Sequence, residues 1–497
     1  MIRNEYVKQT EFEVVTIEQL VPQGHALRKV ERYYDFSFVR KRMEGLYCKN
    51  NGRPAVDPVM LFKMLFIGYM FGIRSERQLV KEIEVNVAYR WFLNMNLTDK
   101  VPHHSTISQN RIRRFDGTDV FRQMFNDVVV MACKKGFIEG RVLYTDSTHL
   151  KANANKKKFS RVIVEASTKS YINELNQAVN EDREKHDKAP LKPLDKIEPD
   201  TKEIKISRTD PDSGYFVRPD KPEGFHYLDH RTCDDKHNLI TDVYVTPGNV
   251  SDNTVYLDRL EHQIDNFNFA VEIVGLDSGY STQHIFKTLI DRDIVPIASY
   301  RRPSGAKGMF RRSKFTYDYE TDSYTCPADQ VLPYRTTNRT GFSTYYSDPA
   351  ICSKCPMLSS CTKSKAHIKI VNRHVWECYQ ERAKSYRESE LGQHIKRRRS
   401  VTIERSFADA KQLHSYRYAR FRGLERVESQ SLMTAIVQNI KKMVKILEKC
   451  DKTGGDDNKR RKNCRSAIIF VIFELMSRIS RINSTGILIL RHNLLKC

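Results

Sequence analysis

Apolar positions recur at helical spacing through the first 135 residues. Asp57-Pro58 sets an N-cap and a first-turn proline ahead of an apolar run that predicts a helix to about residue 72. Ser75-Glu76-Arg77-Gln78 has capping-box spacing and opens an amphipathic run ending near Phe92. A further helix is expected over 119–135, stopped by a left-handed Gly136. From about residue 140 the pattern changes to short β-branched runs. Strands are expected at 141–146, 225–233, 239–246, 271–277 and 294–298, with helices at 253–264 and 281–292, the signature of an α/β unit. Helix returns from 376 to 449.

Two stretches interrupt that unit. Residues 151–210 hold 14 Lys/Arg and 11 Asp/Glu with only Phe159 and Tyr171 aromatic, and read as a solvated helix (160–187) followed by a flexible linker. Residues 300–375, rich in Tyr, Thr and Cys, read as irregular β structure. The chain therefore divides into an all-α segment (1–137), an α/β segment (138–450) carrying insertions at 151–210 and 300–375, and a basic tail (451–497) beyond a Gly454-Gly455 hinge.

Charge changes the picture. The 497 residues carry 84 Lys+Arg against 61 Asp+Glu, a net charge of +23, which calls for a polyanionic partner. The membrane reading is set aside, because the longest apolar run (467–473) falls far short of the ~20 residues a spanning helix needs and residues 1–15 hold no apolar stretch of signal-peptide length. Eleven cysteines, an odd number, do not form a secreted disulfide framework, so a reducing cytoplasm is expected. Double-stranded DNA is then the expected partner. Arg111, Arg113 and Arg114, on a helix after a short polar turn, fit helix-turn-helix DNA contact.

The candidate chemistry is carboxylate. Asp146 and Asp277 each follow a predicted strand and precede a serine, and two such carboxylates converging can hold one or two Mg2+ (or Mn2+) ions. A helix around Ile403 and Phe407 offers Glu404 as a third acid, within a segment (396–422) of nine Lys/Arg and two acids. Asp234, Asp235 and Asp252 are better explained as turn residues, and His103-His104 as capping residues. Cys326, Cys352, Cys355 and Cys361 follow a C-x25-C-x2-C-x5-C pattern that can close a structural Zn2+ site. No Walker-type phosphate loop is present.

Three segments, TDSTHLKANANK (145–156), VGLDSGYST (274–282) and IERSFADAKQLHSYRYARFRGLERV (403–427), resemble DDE-class transposases of bacterial insertion sequences, and HHSTISQNRIRRF (103–115) resembles their N-terminal region. The resemblance extends over roughly residues 10–450. It implies an RNase H-like α/β core with inserted segments, and catalysis by Asp146, Asp277 and Glu404 on divalent metal. It further implies strand cleavage and strand transfer of the element's own DNA, by a homodimer on transposon ends and target. Arg399, Arg405 and Lys411 are then expected to hold backbone phosphates. Glu404 and Lys411 meet the family's Glu-x6-Lys pattern. Its Tyr-x2-Arg-x3-Glu pattern is not met, since Ser400 holds the arginine position and Arg399 is one residue early. A nuclease of the same fold without strand transfer, and a non-catalytic DNA-binding regulator, are the alternatives.

Overall fold

The structure is a computed structural model describing residues 13–48, 55–165, 171–192, 201–218, 221–299 and 308–452. All but two residues of the expected 451–497 tail lie outside the described residues.

The N-terminal helices start where their caps say they should. Asp57 accepts from the Val59 N–H with Pro58 at the first helical position, opening the helix Pro58–Met70. Ser75 caps Glu76–Val85, and Asn86 ends that helix while capping the next, Val87–Phe92. Val120–Lys134 ends at Gly136, whose φ is +69°.

The main sheet is built from β1 (Val142–Lys151), β2 (Phe159–Glu165), β3 (Thr201–Ser207), β4 (Gly214–Arg218), β5 (Lys221–Asp234), β6 (Ile240–Pro247), β7 (Ile273–Leu276) and β8 (Val295–Ala298). Its order is β2-β3-β4-β5-β1-β7-β8, with β6 also on β5. Strands β6, β5 and β1 pair antiparallel, whereas β1, β7 and β8 run parallel. Parallel strands buried on both faces read as continuous apolar runs, as in Ile273-Val274-Gly275-Leu276. A second, antiparallel sheet of five strands spans 316–374.

Two expectations are corrected. The charged insertion does not open as a helix: residues 159–165 form β2, and the helix is confined to Ile172–Glu184. The expected linker contains β3, which pairs with β2 along its whole length. The β-branched Val162-Ile163-Val164 opposite Ile204 sets local structure there, and the dense charge only solvates it. Asp146 does not end its strand either. β1 continues to Lys151 because β5 pairs with it throughout, from Leu143 opposite Asp234 to Lys151 opposite His226.

One apolar core joins the helical and α/β parts, running from Phe62, Phe66 and Phe92 through Val128 to Leu143, Val274 and Ile436. The helix Leu424–Lys452 passes through it, buried on every side from Gln430 to Ile440. Its buried amides are satisfied as a strand would be: the Asn439 side chain accepts from Ile240 N–H (2.8 Å) and donates to Ile240 C=O (2.7 Å). Among the described residues no helix is long and apolar enough to cross a membrane.

His414 ties the helix Arg405–Leu413 to the N-terminal helices, its Nδ1–H donating to the Tyr69 carbonyl at 2.8 Å. Burial lowers its pKa from 6.5 to about 4. Because the unfolded chain binds the proton first, its contribution is complete above pH 6.5 and is lost as pH falls toward 4, up to about 3 kcal/mol. Denaturation midpoints across that window should fall less steeply in His414→Gln than in the parent; parallel slopes would refute the assignment.

Candidate active site

Register brings the first two acids together. β1 and β7 pair in parallel from Val142 opposite Ile273 to Thr145 opposite Leu276, so Asp146 and Asp277 are the next residues on neighbouring strands. Asp277 then leads into the short turn Ser278–Tyr280. Gly275 lets the strand lie under its neighbours, since a Cβ there would stand 2.5 Å from the Tyr144 ring.

The third acid arrives from the helices laid over this sheet edge. Glu390–Arg399 runs into a π-turn, Ser400–Glu404, and continues as Arg405–Leu413. Ile403 and Phe407 are buried and anchor it, and the Thr402 hydroxyl donates to the Arg398 and Arg399 carbonyls that the wide turn loosens. In an α-helix two positions five apart lie about 140° apart around the axis. The π-turn brings them onto one side. Arg399 therefore stands beside Glu404.

All three acids meet this arginine. Arg399 Nη2 lies 2.5 Å from Asp146 Oδ2, and Nη1 lies 2.9 Å from Glu404 Oε1 and 4.0 Å from Asp277 Oδ1. The arginine side chain is 10% exposed, Asp146 18%, Asp277 47% and Glu404 51%, so the cluster opens to solvent on the Asp277–Glu404 side. Burial raises the Asp146 pKa to about 6; Arg399 and the Ser147 N–H oppose the rise, while Asp277 and Asp252 add to it.

Asp252 is the acid that sequence reading passed over. It opens the helix Asp252–Phe267, lies 3.7 Å from His230 Nδ1, and stands where a Cβ on Gly279 would come within 3.1 Å of it. Its only sequence signal was the turn Asn249-Val250-Ser251-Asp252. Asp234 and Asp235 serve turns and helix anchoring: Asp234 accepts from the Gly140 and Lys236 N–H groups, and Asp235 from Arg398 and the Tyr144 hydroxyl. His103 caps the helix His104–Asn110.

The expected DNA-contacting cations divide. Arg113 is exposed, and Arg405 is 70% exposed beside Asp409 at 3.0 Å. Lys411 donates to the Thr148 hydroxyl at 2.5 Å, two residues past Asp146 on β1. Arg111 turns inward to Glu76 and the Phe421 ring, and Arg114 covers Tyr47.

Cys326, Cys352, Cys355 and Cys361 line one cavity of about 30 Å3 in the second sheet's loops, with Phe315 and Leu332. The Ala328 and Gln330 N–H groups both point at Cys326 Sγ, at 3.4 Å. Burial and the other three thiols hold the Cys361 pKa up. Among the described residues no three His, Cys, Asp or Glu side chains stand close enough to hold a metal as they are. Three carboxylates are nonetheless the hard oxygen donors that Mg2+ or Mn2+ takes, and a cation, the guanidinium, already sits among them.

Residues 15–113 match a transposase domain model, and residues 325–444, which include Glu404 and all four cysteines, match a transposase DDE domain model. Asp146 and Asp277 lie between the two. Over these two segments the chain is similar to DDE-type transposases. Nothing among curated proteins matches it. Solved structures similar to it include a piggyBac transposase synaptic complex with hairpin DNA (9% identity, 88% of this chain and 84% of that one, TM-score 0.28). A Mos1 transposase paired-end complex with left transposon end is another (12% identity, 50% of this chain, TM-score 0.16), and the chain spans 61% of its length. At such scores the overlays say nothing of the fold, and the likeness to transposases rests on the two domain models.

Proposed function

We propose that the chain is a metal-dependent transposase with an RNase H-like core, cleaving DNA at the ends of its own insertion sequence and joining the freed 3′-hydroxyl to target DNA. The meeting of Asp146, Asp277 and Glu404 on one cation carries this reading, because each comes from a distant part of the chain. Asp146 and Asp277 on neighbouring parallel strands support the RNase H-like core.

These carboxylates would hold Mg2+ or Mn2+, which in such sites activates the attacking oxygen and stabilises the leaving one in an in-line phosphoryl transfer. Asp146, fixed by β1 on both sides, sets the deepest ligand. Glu404, half exposed on the π-turn, closes the site over incoming DNA. Lys411 and the exposed Arg113 and Arg405 supply phosphate contacts that position DNA without reading its sequence. A homodimer would bring two ends together.

Purified protein, Mg2+, duplexes ending in the inverted repeats that flank the gene, and a target plasmid test this directly. Cut ends joined to the plasmid are expected. Cuts without joining would make it a nuclease, and binding without cuts a regulator.

For the four cysteines we infer a structural zinc that draws the thiols in around their shared cavity. Metal analysis should find about one zinc per chain. Cys352→Ser should lose it and destabilise residues 308–375. Zinc-free parent protein would end the assignment.

A further inference from the structure

Arg399 holds the oxygens that a metal would need. Its two terminal nitrogens take Asp146 and Glu404 in direct ion pairs and reach Asp277, and its Nε is buried without a hydrogen-bond partner. Three carboxylates brought this close repel one another when no cation is among them. Here a strand edge and a π-turn fix their backbones, so they cannot simply drift apart.

We propose that Arg399 is a built-in counter-ion: it keeps the three carboxylates assembled in the metal-free protein and withdraws when a divalent cation binds, so that metal loading is an exchange of one cation for another. This rests on the metal-site reading above. The same oxygens, Asp146 Oδ2 and Glu404 Oε1, cannot serve both cations in this arrangement, and breaking two ion pairs lowers the apparent metal affinity. Arg399 is suited to the exchange by its position. It is the last residue of Glu390–Arg399, where the hydrogen-bond ladder widens, and the Glu404 side of the cluster is open to water. Withdrawal needs only side-chain motion toward that opening.

The test is Mn2+ binding to the full chain without DNA, by calorimetry and thermal shift, neither of which depends on activity. Arg399→Gln should bind Mn2+ at least about tenfold more tightly than the parent, since about 1.4 kcal/mol of competing ion pairing is removed. Metal-free Arg399→Gln should melt lower than the parent, with Mn2+ raising its melting temperature by more. Arg399→Lys, which keeps a charge but cannot span the acids, should lie between the two and carries the test if the Gln variant does not fold. Asp146→Asn added to Arg399→Gln should remove the gain, which assigns it to this cluster. Binding by Arg399→Gln that is equal to or weaker than the parent's overturns the exchange while leaving the metal site standing. No Mn2+ binding by any form overturns the metal site itself, and the exchange with it.

Discussion

Asp146→Asn and Glu404→Gln should each lower strand cleavage in Mg2+ by about a thousandfold or more, with DNA binding retained. Metal-held charge stabilisation of a phosphoryl transition state is worth several kcal/mol, and about 4 kcal/mol corresponds to about a thousandfold in rate. The amides keep the shape of the acids and remove only the charge. Asp146 has the larger expected effect, since its side chain is the most buried of the three. Asp277→Asn should follow the same pattern. Binding should persist because it rests on Lys and Arg contacts to phosphate, and removing acids from a basic surface does not weaken those. Asp409→Asn is the control. Asp409 pairs with Arg405 one helical turn beyond Glu404 and makes no contact with Arg399, so it should keep most activity. Cleavage assays paired with gel-shift measurements separate the outcomes. Normal cutting by Glu404→Gln, or an inactive Asp409→Asn, would move the third acid one turn along its helix.

Much of this site can be read from sequence, and the exceptions have physical causes. Asp277 follows four apolar residues and ends its strand as the pattern implies. Asp146 looks the same locally, because Asp146-Ser147-Thr148-His149 is polar and resembles a strand running out. β1 persists since its partners across β5 are also polar, with Thr145 bonded to Thr232, Asp146 opposite Arg231, Ser147 opposite His230 and Thr148 opposite Asp229, and a polar strand interior leaves no periodic signal. The insertion at 151–210 differs from its sequence pattern for a related reason: its charge count outweighs the short β-branched run Val162-Ile163-Val164, whose partner strand lies about 40 positions away. The role of Arg399 was hidden by helix geometry. Spacing rules assume an α-helix, whereas a π-turn moves every position by one.

The largest stability effect is expected at Arg231, which lies directly opposite Asp146 in the β1–β5 pairing. Arg231 and Asp229 are both fully buried, with Nε 2.8 Å from Asp229 Oδ2 and Nη1 2.8 Å from Gln438 Oε1. The guanidinium carbon lies 5.1 Å from the Phe407 ring centre and 5.0 Å from that of Tyr416. One side chain therefore joins the sheet, the Glu404 helix and the buried terminal helix, and Gln438 extends the chain to the Ser406 carbonyl. Burial pushes the Asp229 carboxyl up and Arg231 pulls it back, so removing the arginine leaves a buried carboxylate with its main counter-charge gone. Arg231→Met should cost about 3–5 kcal/mol. Arg231→Met combined with Asp229→Leu should recover most of that loss, because an apolar pair of similar volume leaves no buried charge and the desolvation of both ions is no longer required. Chemical denaturation of the two variants measures the difference. If Arg231→Met costs under about 1 kcal/mol, the pair does not hold the Glu404 helix in place. If the double variant is as unstable as the single, the loss comes from the Gln438 and aromatic contacts instead of the stranded charge.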